Sequence, residues 1–315
     1  MKAFVLGAGL GTRLQPLTEW LPKPMIPVYH RPLITYAFDH VIKEAGVSGL
    51  VVNTHHCAES YADTFPSGHY DGVPLSFRHE PILLETAGGI ANVADLLGED
   101  RFLVYNGDIL SDIALEPMIE CHERDGNEVT LLVRSEGPGL HIGLQEGSGA
   151  VQDIRGRVGG EVDQGYQFTG IYVAESSFLK RLTPGKKESV IPIFLEMIRE
   201  GEGGLGACVG DDGGWWDLGD VETYRQAHAW IPESVFPNYG VSDPWRRHAA
   251  TADISTEAEV DDLSVIGPEA TVEAGASLTD CIVWPGAIVP SGYLAFQEII
   301  RPTQAQYRTA MALFS

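Results

Sequence analysis

Behind the short apolar segment Lys2–Leu6 the chain runs directly into Gly7-Ala8-Gly9-Leu10-Gly11-Thr12-Arg13 and continues Leu14-Gln15-Pro16-Leu17-Thr18. A buried strand that opens straight into a glycine-rich loop limits the available folds. Such a junction belongs at the carboxyl edge of an open α/β sheet, where those sheets bind ligands. Glycines let successive backbone N–H groups approach an anion closely, and Arg13 can fork two hydrogen bonds onto phosphate oxygens. The next hundred or so residues fit this reading. Gly49–Asn53, Phe102–Asn106 and Val129–Val133 are short, rich in Val, Leu and Phe, and read as buried strands. Pro32–Ala45, with proline near its start and Gly46 just past its end, reads as a helix, as do Ala87–Leu97 and Leu115–Arg124. Strands alternating with helices predict a Rossmann-like, mostly parallel sheet sandwiched by helices. The spacing is nevertheless not that of a dinucleotide fingerprint. Thr12 stands where a third glycine belongs, and the chain continues into Trp20-Leu21-Pro22-Lys23-Pro24-Met25 rather than to an acidic strand end.

Composition narrows the partners. A net charge of −23 over 315 residues argues against a nucleic-acid backbone as ligand, because such binders carry a basic face. It also means that a phosphate site must be locally positive, or recruit metal, inside a negative envelope. No apolar run approaches the ~20 residues needed to cross a bilayer, so no membrane partner is expected. Cys57, Cys121, Cys208 and Cys281 are widely spaced and form no CxxC. They read as reduced thiols of a cytoplasmic protein.

From Gly137 to about Gly214 the pattern loosens into glycine-rich, hairpin-like sequence with a helix over Ile191–Glu200, which suggests an antiparallel lid or substrate-facing section. Further on, Ile254, Val260, Ile266, Val272 and Leu278 recur at a strict six-residue interval. That period marks a β-helix, here a left-handed one of about two coils, with Gly267-Pro268, Gly275-Ala276 and Pro285-Gly286 as turns. Two ordinary strands with coincidental spacing are the competing explanation. Repeats this short need more units or a partner surface, so packing or homo-oligomerisation is the expected role. The expected domains are 1–232, a linker over 233–252, and the repeat region 253–315.

Pro22-Lys23-Pro24 places a lysine on stiff backbone, and a preorganised ammonium near phosphates needs little reordering in a transition state. With this segment the chain resembles a known family. GxGTRLxPLT followed by PKP is similar to the nucleotide-sugar pyrophosphorylases, among them mannose-1-phosphate guanylyltransferases and N-acetylmuramate-1-phosphate uridylyltransferases. The resemblance runs over about 230 residues in the expected motif order. It implies that Gly9, Gly11, Thr12 and Arg13 hold the triphosphate, that Leu6, Gly7 and Ala8 also belong to the nucleotide-binding loop, and that Lys23 neutralises charge at the reacting phosphates, Arg13 and Lys23 being the catalytic residues. Asn106-Gly107-Asp108, at a strand end, matches the family's metal-binding aspartate at Asp108, and Trp215-Trp216-Asp217-Leu218-Gly219-Asp220 resembles the motif whose aspartate, here Asp217, completes a Mg²⁺ site. Mg²⁺ is hard and prefers carboxylate and phosphate oxygens. Asp220 stands where the family has threonine and reads better as the N-cap of a helix over Val221–Ala229.

Leu84-Glu85-Thr86-Ala87-Gly88-Gly89 occupies the place of the family's base-binding turn, implying roles for Glu85, Thr86 and Gly88. A carboxylate there serves guanine or uracil equally well. His55 and His56 are adjacent and lack metal-ligand spacing, which favours a structural or loop-orienting role. Phe168-Thr169-Gly170-Ile171-Tyr172 preserves a family strand, so Asn106, Thr169 and Gly170 would line the sugar pocket. The glutamate–lysine–proline segment that grips the sugar phosphate in some members is missing, and Arg155, Arg157, Lys186 and Lys187 are the candidates to replace it. The implied reaction joins an NTP to a sugar 1-phosphate, with release of pyrophosphate. Two rivals stand beside it: a cytidylyltransferase acting on a phospho-alcohol such as phosphocholine, and a non-catalytic paralogue that binds nucleotide sugars.

Overall fold

The short apolar segments become neighbouring strands. The computed structural model describes residues 1–145, 147–159, 164–201, 204–230 and 246–311, so the expected linker lies outside the described residues as far as position 245. The ten-stranded main sheet contains β1 (Lys2–Leu6), β2 (Leu50–Thr54), β3 (Val73–His79), β4 (Phe102–Asn106), β5 (Val129–Arg134), β6 (Leu140–Leu144), β7 (Val151–Ile154), β8 (Gly165–Ala174) and β9 (Leu205–Val209), with His69–Tyr70 beside β3. β1 lies between β2 and β4 and parallel to both, and β3 continues the parallel set beyond β2. β8 pairs antiparallel with β4, β5 and β6, while β9 runs parallel to β5.

Contacts group the chain into two units, Met1–Gly9 with Tyr36–His56 and His69–Trp215, and Leu10–Thr35 with Cys57–Gly68 and Trp216–Ser315. The sheet belongs to the first. Side chains alternate across it, so Phe4, Val51, Phe102, Val104, Leu131 and Tyr172 share one buried face with α2 (Glu85–Asn92) and α4 (Val190–Glu200). Each such side chain stabilises the fold by about 2 kcal/mol. The opposite face meets α1 (Leu33–Ala45), whose His40 Nδ1 is 3.0 Å from Tyr105 Oη, and α3 (Glu116–Asp125), whose His122 Nδ1 is 2.9 Å from Thr130 Oγ1. The sandwich is the expected one. The single helix expected over Ala87–Leu97 is instead split at Val93, a fully buried β-branched residue with φ −110°.

In the stretch from Gly137 to Gly214, β6, β7 and β8 pair antiparallel as expected, whereas β9 runs parallel to β5, and the longest strand is no lid. β8 sits inside the sheet, with Ile171 opposite Tyr105 and Val173 opposite Thr130. Its second half, Thr169–Ala174, is buried on both faces, and only a central strand can satisfy such a run.

In the second unit the six-residue period builds a three-faced parallel β-helix. One face stacks Asp253–Ile254, Thr271–Val272 and Ile288–Val289; the second Glu259–Val260, Ser277–Thr279 and Leu294–Phe296; the third Val265–Ile266, Ile282–Val283 and Ile299–Ile300. Three coils are present rather than two. The inward series continues through Val283, Val289, Ala295 and Ile300, but the steps from Leu278 to Val283 and from Ala295 to Ile300 are five residues long. Asp280 and Gln297 turn these shortened corners at φ +51° and +56°, so a strict count of six loses the pattern after Leu278. α5 (Val221–Trp230) and α6 (Gln304–Met311) belong to the same unit. No helix among the described residues is long and apolar enough to cross a membrane.

Two buried imidazoles make stability pH-dependent. His228 donates from Nδ1 to the Tyr224 carbonyl and accepts the Tyr29 N–H on Nε2, both at 2.9 Å, so it is held as the neutral ring. Burial lowers the pKa of His228, and likewise of His40, to about 4. A depressed folded-state pKa gives stability that is present above the unfolded value near 6.5 and is lost as pH falls toward 4, because the unfolded chain then binds more protons. Each ring contributes at most about 3 kcal/mol by this route. Urea midpoints are expected to fall steadily from pH 7 to pH 4.5, and a flat profile would remove both histidines from the balance.

Candidate active site

In the first unit, the carboxyl ends of the parallel strands bring several of the expected residues to one edge. Leu6 is opposite Asn53 on one side and Asn106 on the other, so Gly7, Asn53 and the Asn106-Gly107-Asp108 turn emerge together. Gly107 N–H bonds back to the Leu6 carbonyl at 3.1 Å. Antiparallel β8 delivers Thr169 and Gly170 to the same edge. A Cβ on Gly170 would lie 2.5 Å from Asn106 Nδ2, so glycine at φ +85° is what lets that amide approach. The Thr169 hydroxyl is committed to the Leu132 carbonyl, and its own carbonyl accepts the Trp215 indole N–H, both at 2.8 Å. Thr169 therefore shapes this wall through its backbone.

Leu84–Gly89 forms the start of α2, and Glu85 adopts the left-handed φ of +61°. A non-glycine residue in that region costs free energy, and such outliers gather at functional sites. Thr86 Oγ1 accepts the Val190 N–H at 2.8 Å, and the Ala87 and Gly88 amides both donate to the Glu188 carbonyl. Those groups hold the turn against α4, while the Glu85 carboxylate stays half-exposed with Lys187 Nζ 3.9 Å away. Lys186 pairs with Glu188. Arg155 and Arg157 are exposed, Arg155 lining an open pocket with His141 and Asp153. His55, expected to have a structural or loop-orienting role, has its Nδ1 2.7 Å from the Glu80 carbonyl oxygen.

The second unit gathers the charged residues. Gly11, at φ +60°, opens a 3₁₀ turn over Thr12–Leu14, and a Cβ there would meet Thr18 Cγ2 at 2.9 Å and Lys23 Cβ at 3.1 Å. Thr18 Oγ1 donates to the Gly11 carbonyl at 2.8 Å, closing this loop onto the Lys23 segment. Gly9, Thr12 and Arg13 are exposed, whereas Lys23 is buried, with Nζ 3.4 Å from Asp217 Oδ1. A Cβ on Gly219 would lie 2.9 Å from an Arg13 guanidinium nitrogen, so Arg13 lies over the turn that carries Asp217. Asp220 is the N-cap of α5: its Oδ1 accepts the Thr223 N–H at 2.8 Å, and that bond leads the causes holding its carboxyl below the usual range. Arg13, Lys23 and Asp217 thus come together.

The Lys23 segment is buttressed from the C-terminal region. Tyr307 Oη donates to the Met25 carbonyl at 3.2 Å, Tyr224 Oη to the Pro27 carbonyl at 2.6 Å, and Trp284 Nε1 to Tyr224 Oη at 3.0 Å. Trp20 packs edge-on against both Trp284 and Tyr307. Neither this aromatic stack nor the buried carboxylate of Glu80 was visible as a functional signal. For Glu80 a cue was available, an acidic residue directly behind the strand Val73–His79.

The nucleotidyl transferase family profile matches residues 2–234. The chain belongs to that family. A mannose-1-phosphate guanylyltransferase of Mycobacterium tuberculosis is 29% identical over 300 residues, spanning 92% of this chain and 81% of that one. An N-acetylmuramate alpha-1-phosphate uridylyltransferase of Neisseria meningitidis is 29% identical over 235 residues, spanning 73% and 97%. A solved UDP-glucose pyrophosphorylase from Acinetobacter baumannii superposes with a TM-score of 0.61 at 20% identity, over 72% of this chain and 91% of that one. That last likeness concerns the fold.

Proposed function

We propose that the protein transfers a nucleoside monophosphate from GTP or UTP to a sugar 1-phosphate. An oxygen of the sugar phosphate attacks the α-phosphorus, a new P–O bond forms, the bond to the β-phosphate bridging oxygen breaks, and pyrophosphate leaves. No protein nucleophile is needed, since the attacking phosphate is already anionic. The observation that carries the reading is the convergence of Arg13, Lys23 and Asp217 in a family whose profile covers most of the chain. Ala8, Gly9, Gly11 and Thr12 present backbone N–H groups to the triphosphate, Gly7 opens that loop with its own N–H held by Asn53, Arg13 and Lys23 cover the charge, Glu85 reads the base, and Asn106 and Gly170 bound the sugar. Catalysis then rests on holding two mutually repelling anions in line and stabilising the transferring group.

The donor set fits a divalent magnesium ion. Asp108 and Asp217 offer hard carboxylate oxygens, and no group of three or more His, Cys, Asp or Glu side chains forms a metal cage among the described residues. Magnesium is commonly held by one or two carboxylates plus substrate phosphates. When bound it would supply positive charge to the phosphate oxygens. The deciding experiment incubates the protein with Mg²⁺, four NTPs and mannose, glucose, N-acetylglucosamine and N-acetylmuramate 1-phosphates. Pyrophosphate release that needs one NTP and one sugar phosphate together supports the reading, and silence across the panel refutes it.

Residues 1–232 would form the catalytic domain and 253–315 a self-association module. Supporting this, outward residues of the β-helix change from Asp253 and Glu259 in the first coil, through Thr271 and Ser277, to Ile288 and Leu294 in the last, where Phe296 is also exposed. Two copies of a chain carrying −23 repel, and the two faces of the terminal coil with outward Ile288, Leu294 and Phe296 are where they can meet at least cost. Wild type is expected to sediment as a dimer and the Leu294→Asp/Phe296→Asp double variant as a monomer. Identical sedimentation would place association elsewhere or nowhere. The four cysteines, none of them in a disulfide, suit a cytoplasmic setting.

A further inference from the structure

β2 ends in Asn53, which is buried and bonded at both ends of its amide. Oδ1 accepts the Gly7 N–H at 2.8 Å, and Nδ2 donates to Glu80 Oε1 at 2.7 Å. Glu80 is fully buried behind β3, and its other oxygen accepts the Leu84 N–H at 2.9 Å. Its backbone is fixed as well, by its N–H to the Thr54 carbonyl and by His55 at its own carbonyl. A Cβ on Gly89 would come within 2.8 Å of Asn53 Nδ2 and 3.1 Å of Glu80 Oε1, so only glycine lets α2 close over the pair.

A buried carboxylate is expensive to desolvate, and a leucine would fill the same space without that cost. What an apolar side chain cannot do is join Gly7 to Leu84. Both ends of the chain are backbone donors, so the middle must offer an acceptor to each and one donor between them. Asn53 and Glu80 meet that requirement. Gly7 opens the phosphate loop, and Leu84 precedes Glu85 with its strained φ of +61°. We propose that Asn53 and Glu80 form a positioning pair that fixes the phosphate loop at a set distance from the base-reading turn, so that one nucleotide is gripped at both ends. The proposal rests on the nucleotidyl-transfer reading above and deepens it.

The polarity of the chain supplies the test. In Glu80→Gln an amide replaces one acceptor and faces a donor. In Asn53→Asp two carboxylates confront each other. The Asn53→Asp/Glu80→Gln double variant restores every bond with the polarity reversed: the new carboxylate accepts from Gly7 and from the new amide, whose oxygen accepts from Leu84. Each single variant is expected to raise the NTP KM about tenfold or more and to narrow the preference between the best and second-best NTP, with the sugar-phosphate KM within about twofold. The double variant is expected to return to within about threefold of wild type. Single variants with wild-type KM and base preference, or a double variant no better than the worse single, would overturn the proposal. If a single variant fails to fold by circular dichroism, Gly89→Ala takes its place, displacing the Asn53 amide without removing it, and unchanged KM and base preference there would equally overturn it. Should wild type release no pyrophosphate with any substrate pair, the functional reading fails, and the pair is judged by hydrogen exchange at Gly7 and Leu84. Protection lost in the single variants and regained in the double supports it; equal protection in all four proteins does not.

Discussion

Replacing Lys23 with alanine is expected to lower kcat by about a thousandfold while the melting temperature moves only a few degrees. The two halves of that result have separate causes. The transferring phosphorus gains negative charge on its oxygens as the new bond forms. A buried ammonium already aimed at that charge stabilises it without reorganising, which is where removal of one preorganised donor costs about 3 to 4 kcal/mol. The surroundings of Lys23 suit the proposed role. Pro22, at φ −69°, and Pro24 stiffen its backbone, Gly11 approaches its Cβ closely, and Tyr307 holds the next turn through the Met25 carbonyl. Stability depends on it far less. Its partner Asp217 is 46% exposed, so the freed carboxylate is hydrated rather than stranded, and such pairs contribute about 1 kcal/mol or less. Steady-state pyrophosphate release and thermal melts on the same preparations separate the two effects. Turnover within about threefold of wild type would take Lys23 out of the catalytic set.

Local signals carried most of the fold. The strands at Lys2–Leu6, Phe102–Asn106 and Val129–Arg134, the helix ending before Gly46 and the cap at Asp220 were all legible, because each rests on side-chain periodicity or on a residue that suits one backbone position. Misreadings came where long-range pairing decides. The stretch holding β8 reads as a lid or substrate-facing section because its glycines loosen the local pattern, and burial of Thr169–Ala174 on both faces, between β4 and β5, rules out the lid. The third coil of the β-helix was hidden by corners one residue shorter, at Thr279-Asp280-Cys281, which break the period without breaking the inward series.

The candidate site was legible as a set of residue types and much less as a set of contacts. Glycine loop, proline-flanked lysine and strand-end aspartate are each short motifs. The contact of Lys23 with Asp217 spans 194 residues, and the bond from Gly7 to Asn53 spans 46. No spacing rule reaches that far. Thr86 and Gly88 stand where a base-binding turn was expected, but the Thr86 hydroxyl and the Gly88 amide are engaged by Val190 and Glu188. Side-chain identity could not tell a group that binds ligand from one that holds the turn.

Asp108→Asn is expected to cut kcat about a thousandfold and to raise the half-saturating Mg²⁺ concentration about tenfold, and chelation with EDTA is expected to abolish wild-type turnover. Asparagine keeps the shape and one oxygen donor but loses the charge that attracts a hard cation, so the metal titration reads the charge directly. Asp217→Asn poses a sharper question, because Asp217 has two possible occupations. If it holds magnesium, the variant shifts the metal titration as Asp108→Asn does, and does so even when Lys23 is already alanine. If it serves only as the counter-ion of Lys23, the metal titration stays where it was and its effect on kcat disappears in the Lys23→Ala background. Contact residues that act through one another are non-additive, and residues that act separately are not. At 3.4 Å the pair is close enough to couple and long enough to exchange. An incoming triphosphate would draw the ammonium, and a magnesium ion held there would draw the carboxylate, so each charge would gain a new partner as the pair separates. The expected result is therefore a shifted metal titration in both backgrounds, with the kcat losses of Lys23→Ala and Asp217→Asn adding to less than their sum.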